Sequence, residues 1–303
     1  MDRWILSYDD YAPDAEGLRE ALCTLGNGYF ATRGAAAESS ADGVHYPGTY
    51  IAGCYNRLPV EMDGRHTDNA DLVNMPNWLP LTFRPADGEW FDPDRAQREK
   101  RLLSYRQELD LRRGVLTRLI RVRDAQGRTT RVAQRRIVSM DDPHLAALET
   151  TIVAEDWSGP VEIVSAVDGR VVNSGVERYR SLPKAHLMHE KNSPQSDPEL
   201  LLLRSSTVAS NIGIAVAART RVSLPAERGH RAEDGWTGQD LTVDLQAGEA
   251  VTIEKVAAVF TSRDRAIEEP GQAALAAVAD ADGFDTLLER HTLAWSRLWR
   301  RCS

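Results

Sequence analysis

The segment LGNGYFATRG, residues 25–34, sets Gly26, Gly28 and Gly34 around an Asn-Gly pair. Such a density of glycine lets a backbone cradle a phosphate or approach a neighbour closely. A dinucleotide loop needs G-x-G-x-x-G between a strand and a helix, so that the pyrophosphate meets a helix N-terminus. Here the third glycine is displaced, and a helical pattern precedes the glycines instead of following them. No Lys-Ser or Lys-Thr pair is present to complete a phosphate loop. Nucleotide chemistry is a poor reading of this stretch.

Other candidate chemistry is equally thin. HLMHE brings His186, His189 and Glu190 together. It lacks the i, i+4 histidines around a Glu that put two nitrogens and a base on one helix face, and it is not the inverted H-x-x-E-H. The plainer reading is loop or surface histidines, and no metal is expected. No G-x-S-x-G elbow occurs, and neither Cys23 nor Cys54 sits in a Cys-His nucleophile motif. Asp141-Asp142 before Pro143 reads as a turn. The carboxylates of a glycosidase must flank one bond at roughly 5–9.5 Å, which sequence proximity does not express.

Three segments combine Asn and aromatics with Gly or Pro: LGNGYFATRG, YPGTYIAGCYN (46–56) and LVNMPNWLPL (72–81). Pro47, Pro76 and Pro80 fix φ while the glycines permit close approach. Residue type alone favours a packed cover over a sheet, with Trp78 filling the core. The functional alternative is the rigid wall of a sugar pocket, with rings stacking on a pyranose and Asn reading hydroxyls.

The elements that must position these segments follow from periodicity. In DAEGLREALCTLG, Leu18, Ala21, Leu22 and Leu25 recur at i, i+3, i+4 and i+7, predicting a helix capped by Asp14 and stopped by Gly26. After residue 100 come many short β-rich runs, broken by Asp124–Gly127, Trp157-Ser-Gly-Pro, Asp168-Gly, Pro225–Gly229 and Ala247-Gly. With no crossover helices between them, these runs predict antiparallel sheets packed face to face, a large sandwich. Residues 192–198, NSPQSDP, read as an exposed loop. An alanine-rich stretch, 267–282, precedes a stripe of Phe284, Leu287, Leu288, His291, Trp295 and Leu298 on a final helix. Its Trp-bearing end predicts that the natural chain continues. The expected division is a β-sandwich over 1–265 and a helical linker over 266–303.

Composition excludes several partners. The 303 residues carry a net charge of −8, and no basic run interleaves with aromatics, which argues against nucleic acid. Arginine supplies nearly all the positive charge, and Lys100, Lys184, Lys191 and Lys255 read as parts of solvated faces. Three cysteines, Cys23, Cys54 and Cys302, do not make a disulfide framework. No apolar run approaches the ~20 residues of a membrane span, and Trp4–Leu6 is too brief for a signal peptide. A cytoplasmic protein is expected.

The same segments carry a resemblance. LGNGYFATRGAAAE, YPGTYIAGCYNR, LVNMPNWLPL, YRQELDLRRGVLTR (105–118), RRIVSMDDPHLAAL (135–148) and NSGVERYR (173–180) occur in order along the chain. Together they resemble the N-terminal domain of glycoside hydrolase family 65, which holds inverting phosphorylases of maltose, trehalose and kojibiose, with some hydrolases. The resemblance implies a galactose-mutarotase-like β-sandwich, then a helical linker leading to an (α/α)6 barrel and a small C-terminal β domain. It implies that no catalytic residue lies in this chain: the general-acid Glu and the phosphate-binding residues belong downstream of Ser303. In the whole enzyme that Glu would protonate the glycosidic oxygen while phosphate attacks the anomeric carbon from the opposite face, giving β-glucose 1-phosphate. Phosphate is already anionic and needs no general base. The implied partners are an α-linked glucose disaccharide, inorganic phosphate as co-substrate, the chain's own barrel and a possible second copy in a homodimer, with no metal or organic cofactor. Within this chain the implied role is a scaffold whose loops wall the substrate entrance, with Asn74, Asn77 and Trp78 as candidates. A stand-alone carbohydrate-binding module is one alternative. Another is an aldose epimerase, with a His acid and a Glu base across a concave sheet. Disaccharide linkage, and phosphorolysis against hydrolysis, stay open at this level.

Overall fold

The apolar runs that lack polar alternation owe this to burial on both sides. In the strand Ala250–Thr261, Val251, Ile253, Ala257 and Val259 enter one core, while Val256, Ala258 and Phe260 enter another. Successive side chains alternate faces, so a strand covered above and below reads as a continuous apolar run. The computed structural model describes residues 3–62, 65–174, 184–191, 194–265 and 269–302. Most of NSGVERYR, from Gly175 onward, and Asn192-Ser193 of the expected loop lie outside the described residues.

The larger sheet has nine strands, in the order Ile5–Tyr8, Leu102–Asp110, Val115–Arg123, Thr129–Val138, Leu145–Ala154, Ala250–Thr261, Gly213–Val222, Leu200–Thr207 and Leu187–His189. Every neighbouring pair is antiparallel. A second, four-stranded sheet runs Glu227–Glu233, Trp236–Leu245, Gly159–Asp168 and Leu81–Pro85. The main core lies between the two, with Leu148, Ile152, Val216 and Ile253 meeting Leu81, Val161, Ile163 and Leu241. This is the antiparallel sandwich expected. Two small pieces complete the β structure: Leu25–Gly26, Phe30–Thr32 and Thr49–Ile51 in one, and the hairpin Tyr55–Met62/Arg65–Leu72.

Among the described residues, four α-helices accompany the sheets: α1 (Glu16–Leu22), α2 (Pro93–Arg98), α3 (Pro270–Asp280) and α4 (Phe284–Cys302). The last two cover the outer face of the nine-stranded sheet, where Ala274, Val278, Phe284 and Leu287 pack on Val256, Ala258 and Phe260. Glu269 caps α3 by accepting from the backbone N–H groups of Gly271 and Gln272 at 2.7 Å each, and Pro270 follows at the first helical position. At the other end the buried Arg219 guanidinium donates to the carbonyls of Val278, Ala279 and Asp282 at 2.6, 3.0 and 3.2 Å. The predicted stripe of α4 is present: Phe284, Leu287, Leu288 and His291 are buried.

Two expectations are corrected. The stripe that predicted α1 faces outward, with Leu18 65% and Leu22 52% exposed, while Glu16, Arg19 and Glu20 are buried. Asp14 does not cap it; Ala15 occupies that position without a side-chain bond. The cause is tertiary: Arg19 reaches the Asp10 carboxylate at 3.0 Å and Glu20 accepts from the backbone N–H of Tyr46 at 2.8 Å, so the charged face has partners inside and the leucines do not. Leu25 sits in a strand and is buried. The second correction is the expected turn over 225–229, which enters the edge strand Glu227–Glu233. Its exposed, charged sequence is what a sheet edge uses against further pairing, and it carries no apolar signal.

Candidate functional site

The glycine-rich stretch is a tight hairpin between Leu25–Gly26 and Phe30–Thr32. Asn27 Oδ1 accepts from the backbone N–H groups of Tyr29 and Phe30 at 3.0 Å, and Gly28 takes φ +90°, a left-handed conformation suited to glycine. A Cβ added at Gly34 would lie 2.5 Å from the Cβ of Cys23. These glycines serve a turn and a close backbone approach.

A polar cleft of about 470 Å³ opens where the loop Asn74–Pro80 crosses the end of the Gly159–Asp168 strand. Its lining includes Glu38, Tyr46, Asn77, Asp168, Arg170 and Trp236. The backbones of Asn77 and Asp168 exchange two hydrogen bonds, at 2.7 and 2.9 Å. The three sequence candidates part company here. Trp78 is fully buried, its Nε1 donating to Thr32 Oγ1 at 3.0 Å, so it packs under the loop and offers no face to a ligand. Asn74 lines the cleft but is consumed by loop architecture: Oδ1 accepts from the Thr49 N–H at 3.0 Å and Nδ2 donates to the Val172 carbonyl at 3.3 Å. Asn77 uses Oδ1 to accept from the Leu79 N–H at 3.0 Å. Among the described residues its Nδ2 has no acceptor.

The charges of the cleft are matched in pairs. Asp168 accepts from Arg170 Nε and Nη2 at 2.9 and 3.1 Å, and Arg170 Nη1 reaches Glu233 at 2.9 Å. Glu38 accepts from Arg118 Nη1 at 2.8 Å and Gln134 Nε2 at 2.7 Å, with both charged side chains almost wholly buried. Sequence reading missed Asp168, Arg170 and Trp236 as site residues, since only sheet topology brings position 77 beside 168 and 236.

Below the cleft lies a lysine expected on a solvated face. Lys255 is fully buried, points inward from the Ala250–Thr261 strand, and donates to the carbonyls of Pro80 at 2.9 Å and Ala166 at 2.6 Å. Pro80 brings no N–H to the crossing. Burial without a counter-charge pushes the ammonium pKa well below its ordinary value.

The histidines are committed elsewhere. Asp42, His45 and Asp94 place ligand atoms within 4.8 Å of one another, but His45 Nδ1 meets Glu20 and Nε2 meets Asp94, each at 2.8 Å. Those hydrogen bonds raise its pKa to about 9 against the effect of burial, so it is an imidazolium donating to both, and the arrangement is an ion-pair cluster. Asp42 Oδ1 is occupied by the backbone N–H groups of Val44 and His45. His186, read as a loop or surface residue, is buried: Nδ1 accepts from Asn56 Nδ2 at 3.0 Å, and burial lowers its pKa. His189 contacts Ser205 Oγ at 3.0 Å, and Glu190 is exposed. His291 on α4 accepts from the Met140 N–H at 3.0 Å through Nδ1 and donates to the Arg113 carbonyl at 2.7 Å through Nε2, which fixes a neutral tautomer.

A family profile described as glycosyl hydrolase family 65, N-terminal domain, matches residues 6–298. The chain belongs to this family. Its relatives include an uncharacterized glycosyl hydrolase of Mycobacterium tuberculosis, 46% identical over 100% of this chain and 23% of that protein. A kojibiose phosphorylase of Thermoanaerobacter brockii is 27% identical over 98% of the chain and 38% of its own length. A trehalose 6-phosphate phosphorylase of Lactococcus lactis is 28% identical over 98% of the chain and 36% of its own length. The chain therefore spans between about a quarter and two fifths of these proteins. A solved structure assigned by name as a kojibiose phosphorylase from the human microbiome superposes with a TM-score of 0.82 at 17% identity, over 97% of this chain and 37% of that one. That likeness shows a shared fold. Among the described residues, no helix is long and apolar enough to cross a membrane.

Proposed function

We propose that this chain is the non-catalytic N-terminal domain of a cytoplasmic enzyme that cleaves an α-linked glucose disaccharide by phosphorolysis with inversion. The observation that carries the reading is the match of the N-terminal family profile across nearly the whole chain, with phosphorylases among relatives two to three times its length. The sandwich, taken as residues 1–265, and the helical linker, 266–303, scaffold a following barrel that holds the general acid and the phosphate site. A second copy would complete a homodimer.

Within this division of labour the Asn74–Pro80 loop walls the substrate entrance, with Asn77 on the open side and Trp78 and Asn74 as its packing. A carboxylic acid in the barrel would protonate the leaving oxygen, and phosphate would serve as nucleophile without a base. The test is expression of the longer protein and its incubation with kojibiose, trehalose or maltose, with and without phosphate. The expected result is a sugar 1-phosphate formed only when phosphate is present, and no turnover by the 303-residue chain. Glucose released at equal rates without phosphate, or turnover by the chain itself, would overturn the proposal.

A further inference from the structure

We propose that the cleft beneath the Asn74–Pro80 loop is a binding site for a neutral pyranose, one that this chain occupies without the rest of the protein. The ligand class rests on the family-65 reading, and the geometry supplies the remainder. At about 470 Å³ the cleft falls within the range of small-molecule sites. Its charges cancel locally: Arg170 is matched by Asp168 and Glu233, and Glu38 by Arg118. Among the described residues, no cation lining the cleft is left over for a phosphate or carboxylate, which favours an uncharged, hydroxyl-rich ligand.

Asn77 supplies the directional contact. Its Oδ1 is fixed by the Leu79 N–H, so the amide cannot flip, and on this lining residue Nδ2 is left as the donor. The Asp168–Arg170 pair, partly exposed, presents an acceptor beside a donor, the complement of two vicinal hydroxyls. Tyr46 and Trp236 add ring surface to the lining. The floor is stiff, because the Asn77–Asp168 bridge holds it from the side and Lys255 holds the Pro80 and Ala166 carbonyls from below. A preformed floor reduces the ordering cost of binding.

The experiment is calorimetric or NMR titration of the 303-residue chain with glucose, maltose, trehalose and kojibiose, and with glucose 6-phosphate as the charged comparator. At least one neutral sugar should bind with a dissociation constant on the order of 1 mM, and glucose 6-phosphate should bind no tighter than glucose. Asn77→Asp keeps the Oδ1 acceptor and removes the donor, so affinity should fall at least fivefold at a temperature where the variant is folded. If that variant fails to fold, Arg170→Ala, altered on the exposed rim, should weaken binding to the same extent. Absence of binding by every neutral sugar, tighter binding of glucose 6-phosphate, or affinity indifferent to both variants would overturn the inference. Failure here while the longer protein phosphorolyses a disaccharide removes this site and leaves the family reading intact. Sugar binding lost in Asn77→Asp, with no phosphorolysis by the longer protein, keeps the site and removes the reaction.

Discussion

Lys255 and His45 both bring an ionisable group indoors and resolve the cost in opposite ways. His45 recruits two carboxylates and stays charged, with a pKa raised to about 9. Its contribution to stability is complete below the ordinary histidine value of about 6.5 and is lost as pH rises through 9. His45→Gln should cost about 1–3 kcal/mol at pH 7, and the gap between variant and wild type should close above pH 9 in thermal melts. Lys255 has two carbonyls in place of carboxylates, and burial depresses its pKa. Between its depressed folded value and about 10.5 the unfolded chain holds the extra proton, so this group's contribution improves as pH rises. Relative to wild type, Lys255→Met should lose advantage as pH rises from neutral toward 10; parallel pH curves would refute a depressed ammonium pKa. Composition alone put this lysine on a solvated face. The signal that could have found it is parity, since position 255 shares a face with the buried 251, 253, 257 and 259.

Elements were legible where one face alone decides burial. The α4 stripe is of that kind, and its anchoring depends on Gly114, which has φ +63° and would place a Cβ 2.5 Å from Trp295 Nε1. Gly114→Ala should therefore destabilise by about 1–3 kcal/mol, read as a lowered melting midpoint. The Arg219 cap on α3 leaves no sequence trace, because the residue sits in a strand far from the carbonyls it satisfies. Arg219→Met should cost about 2–4 kcal/mol by stranding buried acceptors, with hydrogen exchange rising first in α3. The α1 helix was foreseen but its orientation was not, since the leucine spacing is genuine and the buried partners of Arg19 and Glu20 come from other segments. The strands of two to five residues before residue 86 escaped notice for a similar reason: their apolar residues number one to three each, too few to show a period.

For the whole molecule, the sandwich could be read from many short runs without crossover helices, whereas the cleft could not, because it exists only where separate layers meet. Those layers share one strand in an exacting way. Ala250–Thr261 gives Val251, Ile253, Ala257 and Val259 to the core between the sheets, and Val256, Ala258 and Phe260 to the core under α3 and α4. Synthesis from the N-terminus completes this strand before either helix has left the ribosome. Until they arrive, the Val115, Ile137, Ala217, Val256 and Phe260 face is bare to solvent, a surface that a holding chaperone would recognise. A polypeptide stopped at residue 265 should accordingly come down in inclusion bodies under expression conditions that leave the 303-residue form in the supernatant.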